Sequence, residues 1–458
     1  VPPFVPAESA PWLRPAPFDG SAASLAEHAR AIGEVLAGGG RLWLGPFEPP
    51  AALPPGFEDT VLVVPTSGST GRAKAVAHPL RSLLASQDAT ARLFADDGTT
   101  AAHPDSAGHG HWLPLLPPTH IAGIQVIARA HRTAQVLGLE QVPLADPLPD
   151  LRAHFDAARF VALAQPALEQ AEAAGLPALT SLVPTQLTRL LETASADGAR
   201  ARSLLSRFAA VLVGGAATPP DLLARARGAR VRVRTTYGSS ETAGGCVYDG
   251  VPLPGVRLDL VDAGPAEDRR AAADPAAGPD APTPSAGPAG RLRIHSPTLA
   301  HGYLLEDGGA STEDFPLCGP ADERAFVTSD LAQLRDGRLT VLGRADDVIT
   351  TGGLKVVPQD VERAIGRSLL LRGIVAEAVV VGVADPEWGR RVEALVVPAA
   401  GAAVDAQELP ALVRSALRTS GLPHHAVPRR IHVVEALPLR GIGKIDRAAA
   451  ARIAGDRP

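Results

Sequence analysis

Between Thr66 and Lys74 the chain reads T-S-G-S-T-G-R-A-K, a mixture of hydroxyls, glycines and one cation that suits phosphate. The small residues Thr66, Ser67, Gly68, Ser69, Thr70 and Gly71 let backbone N–H groups converge on an anion, and the Ser and Thr hydroxyls add donors. Lys74 supplies a point charge, and the pattern places it at the start of a following helix, whose N-terminus also favours anions. A Walker A loop needs its lysine directly after the second glycine and then Ser or Thr for magnesium. Here Gly71 is followed by Arg-Ala-Lys, so a mononucleotide-kinase reading fails on spacing. A solvated Ser/Gly linker is the bland alternative, but such linkers do not normally separate a buried strand from a helix.

The elements that must hold this loop read as α/β. A strand from Val61 precedes it and a helix running to about Phe94 follows. The apolar runs "VLGLEQVPL", "ALTSLVPTQL" and "FAAVLVGGAA" then alternate with helical segments, as parallel α/β units do. Residues 262–289 are Ala/Pro/Gly/Asp-rich without apolar periodicity and read as a disordered surface insertion between strands. Beyond Asp346 the pattern resets into a small α+β unit, with helices at "PQDVERAIGR" and "AQELPALVRSAL" and strands at "AEAVVVGVA", "RVEALVVP" and "RRIHVVEA". Two domains are therefore expected, residues 1–345 and 346–458.

Composition narrows the partners. A net charge of −5 gives no basic field for nucleic acid or an anionic membrane, and 4% aromatics leave little for stacking single strands. No apolar run reaches a membrane span. Cys246 and Cys318 are the only cysteines, too few for a disulfide framework, so a cytoplasmic setting is expected. Small-molecule partners follow; a homo-oligomer is left open.

Three later segments come in a fixed order: "TYGSSETAGGCVYDG" (236–250), "VTSDLAQLRDGRLTVLGRADDVITTGGLKVVPQDVE" (327–362) and "LRGIGKIDR" (439–447). With T-S-G-S-T-G-x-x-K they resemble the successive motifs of the adenylate-forming superfamily of acyl-CoA synthetases, adenylation domains and luciferases. The resemblance runs from about residue 60 to the C-terminus. It implies a large N-terminal domain built of α/β subdomains and a small, mobile C-terminal α+β domain. It also implies ATP and coenzyme A as substrates, with Mg²⁺ as cofactor: a carboxylate attacks the α-phosphate, pyrophosphate leaves, and a thiol captures the acyl-adenylate.

By the same resemblance, the 66–74 loop holds the β- and γ-phosphates. Gly215 and Ala216 flank adenine, Tyr237 stacks on it within Thr236-Tyr237-Gly238, and Ser240 donates to the α-phosphate. Glu241 holds the metal, a role that suits a carboxylate and a hard cation. Asp330 clamps the ribose hydroxyls and Arg344 contacts the nucleotide, unless Arg344 only pairs with Asp346 or Asp347. Lys444 is the catalytic lysine of adenylation and Asp346 the hinge. Gly352 and Gly353 border the CoA channel, although they could equally form an ordinary turn.

"TTYGSSETAGGCVYDGVPLPGV" and "TSLVPTQLTRLL" look most like the short actinobacterial o-succinylbenzoate–CoA ligases of menaquinone biosynthesis. The early position of the phosphate loop fits that subgroup. The acyl pocket then lies beside Glu241, lined by Gly244, Gly245 and Thr185, with His120 at the gating position. Arg129 is a candidate for the second carboxylate of the acid. Otherwise Arg129 is a surface helix arginine and His120 a packed core histidine. Other acids, or a non-catalytic adenylate-binding protein, are the alternatives. Cys246 reads as a small buried hydrophobe rather than a nucleophile.

Overall fold

The computed structural model describes residues 10–66, 74–264, 289–318, 323–368, 371–399, 401–402, 404–440 and 444–456. The chain divides into two compact units, one of residues 1–257 and 294–326 and the other of 258–293 and 327–458. That division groups residues 327–345 with the C-terminal ones, whereas the boundary read from sequence at 345/346 leaves them with the N-terminal ones.

In the first unit, one sheet runs in the order Trp12–Leu13, Arg41–Trp43, Thr60–Pro65, Lys74–Pro79, Gly302–Leu305, Ala310–Ser311. Its central strand reads TVLVVP and is buried from Thr60 to Val64, an apolar run covered on both faces. Helix Ala22–Leu36 begins at Ser21, whose hydroxyl accepts the Ser24 N–H, and it buries Leu25, Ala29, Ile32 and Leu36 at helical spacing.

The phosphate loop enters differently from its sequence reading. Lys74 does not begin a helix; it begins the strand Lys74–Pro79, which returns antiparallel along Thr60–Pro65. Ala75, Val76 and Ala77 are fully buried in this strand. Pro79 holds extended backbone, so helix Leu80–Asp96 starts only after it. The loop therefore joins two antiparallel strands, and no helix N-terminus lies at Lys74.

The second sheet has the order Val251–Pro252, Gly244–Tyr248, Val233–Ser239, Ala210–Val213, Ala178–Leu182, His111–Leu113. The last four strands are mutually parallel and the first two antiparallel. Phe160, Leu168, Leu187, Leu205, Phe208 and Val211 form the core between these strands and helices Ala157–Ala173, Pro184–Glu192 and Ala196–Leu205. Pro184 opens its helix, and the Gln186 side chain accepts the Val183 N–H at 3.0 Å. The run "VLGLEQVPL" is not a strand. Helix Ile121–Leu137 absorbs its start, Gly138 ends that helix at φ +65°, and Leu144 alone bridges to Trp112.

In the second unit, Val375–Asp385, Gly389–Pro398 and Arg430–Val433 form a sheet, antiparallel at the first pairing and parallel at the second. Val361 and Ile365 of helix Pro358–Arg367 pack on it with Val413 and Leu417 of helix Leu409–Arg418, pairs one helical turn apart. A second sheet joins Arg257–Gly264, Ala289–His295, Phe326–Arg335 and Arg338–Arg344. Residues 262–264 and 289 belong to its strands, so the insertion read as 262–289 begins and ends inside ordered pairing; Asp262 meets Arg291 at 2.9 Å. Residues 265–288 lie outside the described residues. Among the described residues no helix is long and apolar enough to cross a membrane.

Candidate active site

Thr66 and Lys74 stand at the two ends of the phosphate loop, the Thr66 N–H donating to the Lys74 carbonyl at 3.4 Å. Ser67, Gly68, Ser69, Thr70 and Gly71 lie outside the described residues. Lys74 Nζ sits 3.8 Å from the centroid of the Tyr303 ring. The Tyr303 hydroxyl donates to Glu241 Oε1 at 3.0 Å. Burial first, then the neighbouring Glu241 and Asp314, raise the Tyr303 pKa far above its ordinary value, so the hydroxyl keeps its proton.

Glu241 lies in the 3₁₀ turn Ser240–Thr242 and is only 9% exposed. The turn is pinned through its carbonyls. His78 Nε2 lies 2.7 Å from the Ser240 oxygen and the Ala300 N–H donates to the Glu241 oxygen at 2.9 Å. Ser86 Oγ and Gln125 Nε2 both donate to the Ala243 oxygen, at 3.0 and 2.8 Å. Among the described residues no basic side chain pairs with Glu241, and Oε1 alone is committed. A buried carboxylate with a second oxygen uncommitted fits a hard divalent cation.

The residues expected beside adenine lie on or just after two adjacent inner strands of the second sheet, Ala210–Val213 and Val233–Ser239. Gly214 follows the strand Ala210–Val213, and a Cβ there would stand 2.2 Å from Thr236 Oγ1. Gly215 has φ +82° and Ala216 is exposed beside it. Gly238 admits no side chain either, because a Cβ would lie 2.0 Å from the Gly244 carbonyl across the hairpin. Tyr237 is half-buried on the strand Val233–Ser239.

Of the residues expected at the acyl pocket, Arg129 and Gly245 meet at Tyr248, which sequence reasoning missed. Arg129 is not a surface residue: it is 7% exposed on helix Ile121–Leu137. Its Nη2 donates to Thr90 Oγ1 and to the Tyr248 hydroxyl, both at 3.3 Å, and its guanidinium lies 5.5 Å from the Trp112 ring centroid. Among the described residues Nε has no hydrogen-bond partner and no carboxylate pairs with this arginine. Gly245 faces the same tyrosine, since a Cβ there would lie 2.9 Å from Tyr248 Cε1. Gly244, at φ +94°, would place its Cβ 3.5 Å from Gln125. His120 caps the Arg129 helix and Thr185 is the second residue of Pro184–Glu192; both are half-buried. Cys246 is fully buried and burial pushes its thiol up to about 12, which makes it unfit as a nucleophile at neutral pH.

Two histidines of this unit carry a pH dependence. Burial lowers His78 and His111 to about 4. Both are neutral in the folded chain at pH 7, while the unfolded chain protonates them near the ordinary value of about 6.5. Stability is thus full above about pH 6.5 and falls as pH drops toward 4, by about 2 kcal/mol per histidine at pH 4.5. His111 Nδ1 has no partner, so His111→Phe removes proton uptake without leaving an unpaired group. Urea unfolding at pH 7 and 4.5 should show a loss smaller in His111→Phe than in the wild type by about 2 kcal/mol. Identical losses would contradict the assignment.

The second unit carries the remaining residues. Asp330 and Arg344 face each other on paired strands, with Nη1 3.8 Å from Oδ1. Arg344 also donates to Asp346, at 3.4 Å. Gly352 and Gly353, at φ +55° and +79°, form the two-residue turn between Ile349–Thr351 and Leu354–Val356. That turn lies against Trp388, where a Cβ on Gly352 would meet Cε3 at 2.5 Å. Lys444 opens the short strand Lys444–Ile445, paired with Leu439–Arg440. Arg447, just beyond, donates to both carboxylate oxygens of Glu362 at 2.8 and 2.9 Å and to the Val380 carbonyl at 2.8 Å, and meets Asp347 at 3.2 Å. It fixes the segment that carries Lys444 to the turn Ala345–Asp347.

Residues 157–304 match the model of the AMP-binding enzyme family and residues 368–444 that of the AMP-binding enzyme C-terminal domain. The chain is 37% identical over 398 residues to a probable 2-succinylbenzoate–CoA ligase of Mycobacterium tuberculosis, covering 86% of this chain and 85% of that protein. In fold it is similar to ATP-bound MatB from Rhodopseudomonas palustris, with TM-score 0.62, 22% identity and coverage of 89% of this chain and 70% of that one. It is likewise similar to the o-succinylbenzoate CoA synthetase MenE from Bacillus subtilis in complex with the acyl-adenylate intermediate, with TM-score 0.57, 21% identity and coverage of 85% and 69%.

Proposed function

Because the chain belongs to the AMP-binding enzyme family of acid–thiol ligases, we propose how its own residues perform the reaction of a 2-succinylbenzoate (o-succinylbenzoate)–CoA ligase. The succinyl carboxylate attacks the α-phosphorus of ATP, the bond to pyrophosphate breaks, and an acyl-adenylate forms. The thiolate of coenzyme A then attacks the acyl carbon and AMP leaves. The thioester enters menaquinone biosynthesis, in the cytoplasm.

In-line displacement at phosphorus needs positioning and charge neutralisation more than covalent help. The Thr66–Lys74 loop grips the β- and γ-phosphates, and Lys74 neutralises charge on the leaving pyrophosphate. Glu241 is the ligand for Mg²⁺, which when bound supplies Lewis-acid stabilisation of phosphate oxygens. Gly215, Ala216 and Tyr237 receive adenine, with Thr236 and Gly238 shaping the strand around it. Ser240 donates to the α-phosphate. Asp330 accepts from the ribose hydroxyls and Arg344 contacts the nucleotide. Lys444 stabilises charge between carboxylate and α-phosphate. A turn about Asp346 withdraws Lys444 after adenylation and presents Gly352 and Gly353 to the pantetheine arm.

One observation favours a dicarboxylic aromatic acid over other acyl groups. Arg129 is buried, held only by hydroxyls and an aromatic face, and lacks a carboxylate among the described residues. A buried cation in that state is costly unless an anion arrives. The second carboxylate of o-succinylbenzoate is that anion, while Gly244 and Gly245 leave width for the ring and His120 and Thr185 border its entry. ATP–pyrophosphate exchange with o-succinylbenzoate, benzoate, ferulate and a medium-chain fatty acid tests the choice. Exchange is expected with o-succinylbenzoate alone; exchange with the others but not with it would overturn the acid while leaving the family intact.

A further inference from the structure

Tyr303 lies outside every motif used so far, yet it touches two of them. We propose that Tyr303 is a positioning residue for adenylation, its hydroxyl orienting Glu241 and its ring seating Lys74. The proposal rests on the adenylating reading above and adds a residue to it.

The strand pairing dictates the contact with Lys74. Leu305 is opposite Lys74 and Tyr303 opposite Val76, so Tyr303 and Lys74 are diagonal neighbours on one face of the sheet. Nζ accordingly lies over the ring, 3.8 Å from its centroid, where the electron-rich face attracts an ammonium. The ring is itself held by an edge contact with Phe315 at 5.7 Å, and Phe315 stacks on Phe326 at 5.0 Å. A lysine at the base of a loop has many rotamers; this platform selects among them.

The hydroxyl does separate work. It has one hydrogen bond to donate, and Glu241 Oε1 accepts it at 3.0 Å, although Asp314 also lies close enough to interact. With Oε1 committed, Oε2, which has no partner among the described residues, is the oxygen left for a cation. Removing the donor leaves a buried carboxylate less oriented and less stabilised as an anion, so its affinity for a hard cation falls. Ring and hydroxyl should therefore be separable by mutation.

The test uses the full chain with ATP as the probe. Binding is measured by calorimetry, once in EDTA and once with saturating Mg²⁺, for wild type, Tyr303→Phe and Tyr303→Leu. Tyr303→Phe is expected to keep metal-free ATP affinity within about twofold and to lose about tenfold of the gain that Mg²⁺ confers. Tyr303→Leu is expected to lose, in addition, about threefold or more of the metal-free affinity. An unaltered Mg²⁺ gain in Tyr303→Phe would overturn the proposal, as would equal metal-free affinities in the two variants. A lowered thermal midpoint with an unchanged Mg²⁺ gain would reduce Tyr303 to a structural residue and overturn it too. These readouts are independent of the acid: if wild type binds ATP with the expected pattern but exchanges with no acid, the ligase reading fails, while the part of Tyr303 in orienting Glu241 and Lys74 toward ATP and Mg²⁺ is still decided by the binding data.

Discussion

Lys444→Ala is expected to lower o-succinylbenzoate-dependent ATP–pyrophosphate exchange by about 10²–10³-fold while leaving thioester formation from supplied acyl-adenylate within about threefold of wild type. The asymmetry follows from what each half-reaction develops. In adenylation, negative charge accumulates between the attacking carboxylate and the α-phosphate, and one well-placed cation there contributes several kcal/mol. In thioester formation the nucleophile is a thiolate and the leaving group is AMP, so a cation placed for the first step has no equivalent task. Lys444 sits on a short strand followed at once by Arg447, which is tied to Glu362, Asp347 and Val380. The segment that carries the lysine is therefore held at its base, and truncating the side chain should not unfold it. Comparable losses in both half-reactions would contradict the two-arrangement account.

Arg129→Leu should act on a different axis, the choice of acid. In the wild type the guanidinium is buried and, among the described residues, hydrogen-bonded to hydroxyls alone, so an incoming carboxylate gains a charge-assisted pair that water does not screen. Losing that pair is expected to raise KM for o-succinylbenzoate by about 10²-fold, with kcat falling less, since the contact is remote from the reacting carboxylate. The informative control is 4-oxo-4-phenylbutanoate, the same acid without its ring carboxylate. Wild type should discriminate against it by about 10²-fold or more, because it leaves the buried cation unpaired. Arg129→Leu should accept both within about fivefold. If the variant kept the wild-type preference, Arg129 would not be the recognition group and the argument for the dicarboxylate would lose its main support.

Legibility in the sequence depended on whether a feature is local. The motif residues from Thr66 to Lys444 stand out because spacing along the chain encodes them, and the matched family models cover the stretch that contains Glu241 and the stretch ending at Lys444. The buried run Ala75–Ala77 after Lys74 is too short to stand out from the helix beyond it, so the sequence alone puts a helix start where a strand begins. Pro79 carried the missing signal, since it separates the buried strand from helix Leu80–Asp96. Tyr303 and Tyr248 were illegible for another reason. Each is a single tyrosine in an apolar strand, and only cross-strand register and packing bring one to Lys74 and Glu241 and the other to Arg129. Arg129 itself looked like a helix-surface residue because nothing in "VIARAHR" says which face is covered. Burial against Trp112 and Thr90 decides that, and both come from elsewhere in the chain.

The most direct measurement is product analysis of the full chain with ATP, Mg²⁺, o-succinylbenzoate and coenzyme A by mass spectrometry. The account requires one CoA thioester at the succinyl carboxylate, with AMP and pyrophosphate formed in equal amounts to it. Formation of ADP and phosphate, or a thioester at the ring carboxylate, or no thioester at all, would contradict it.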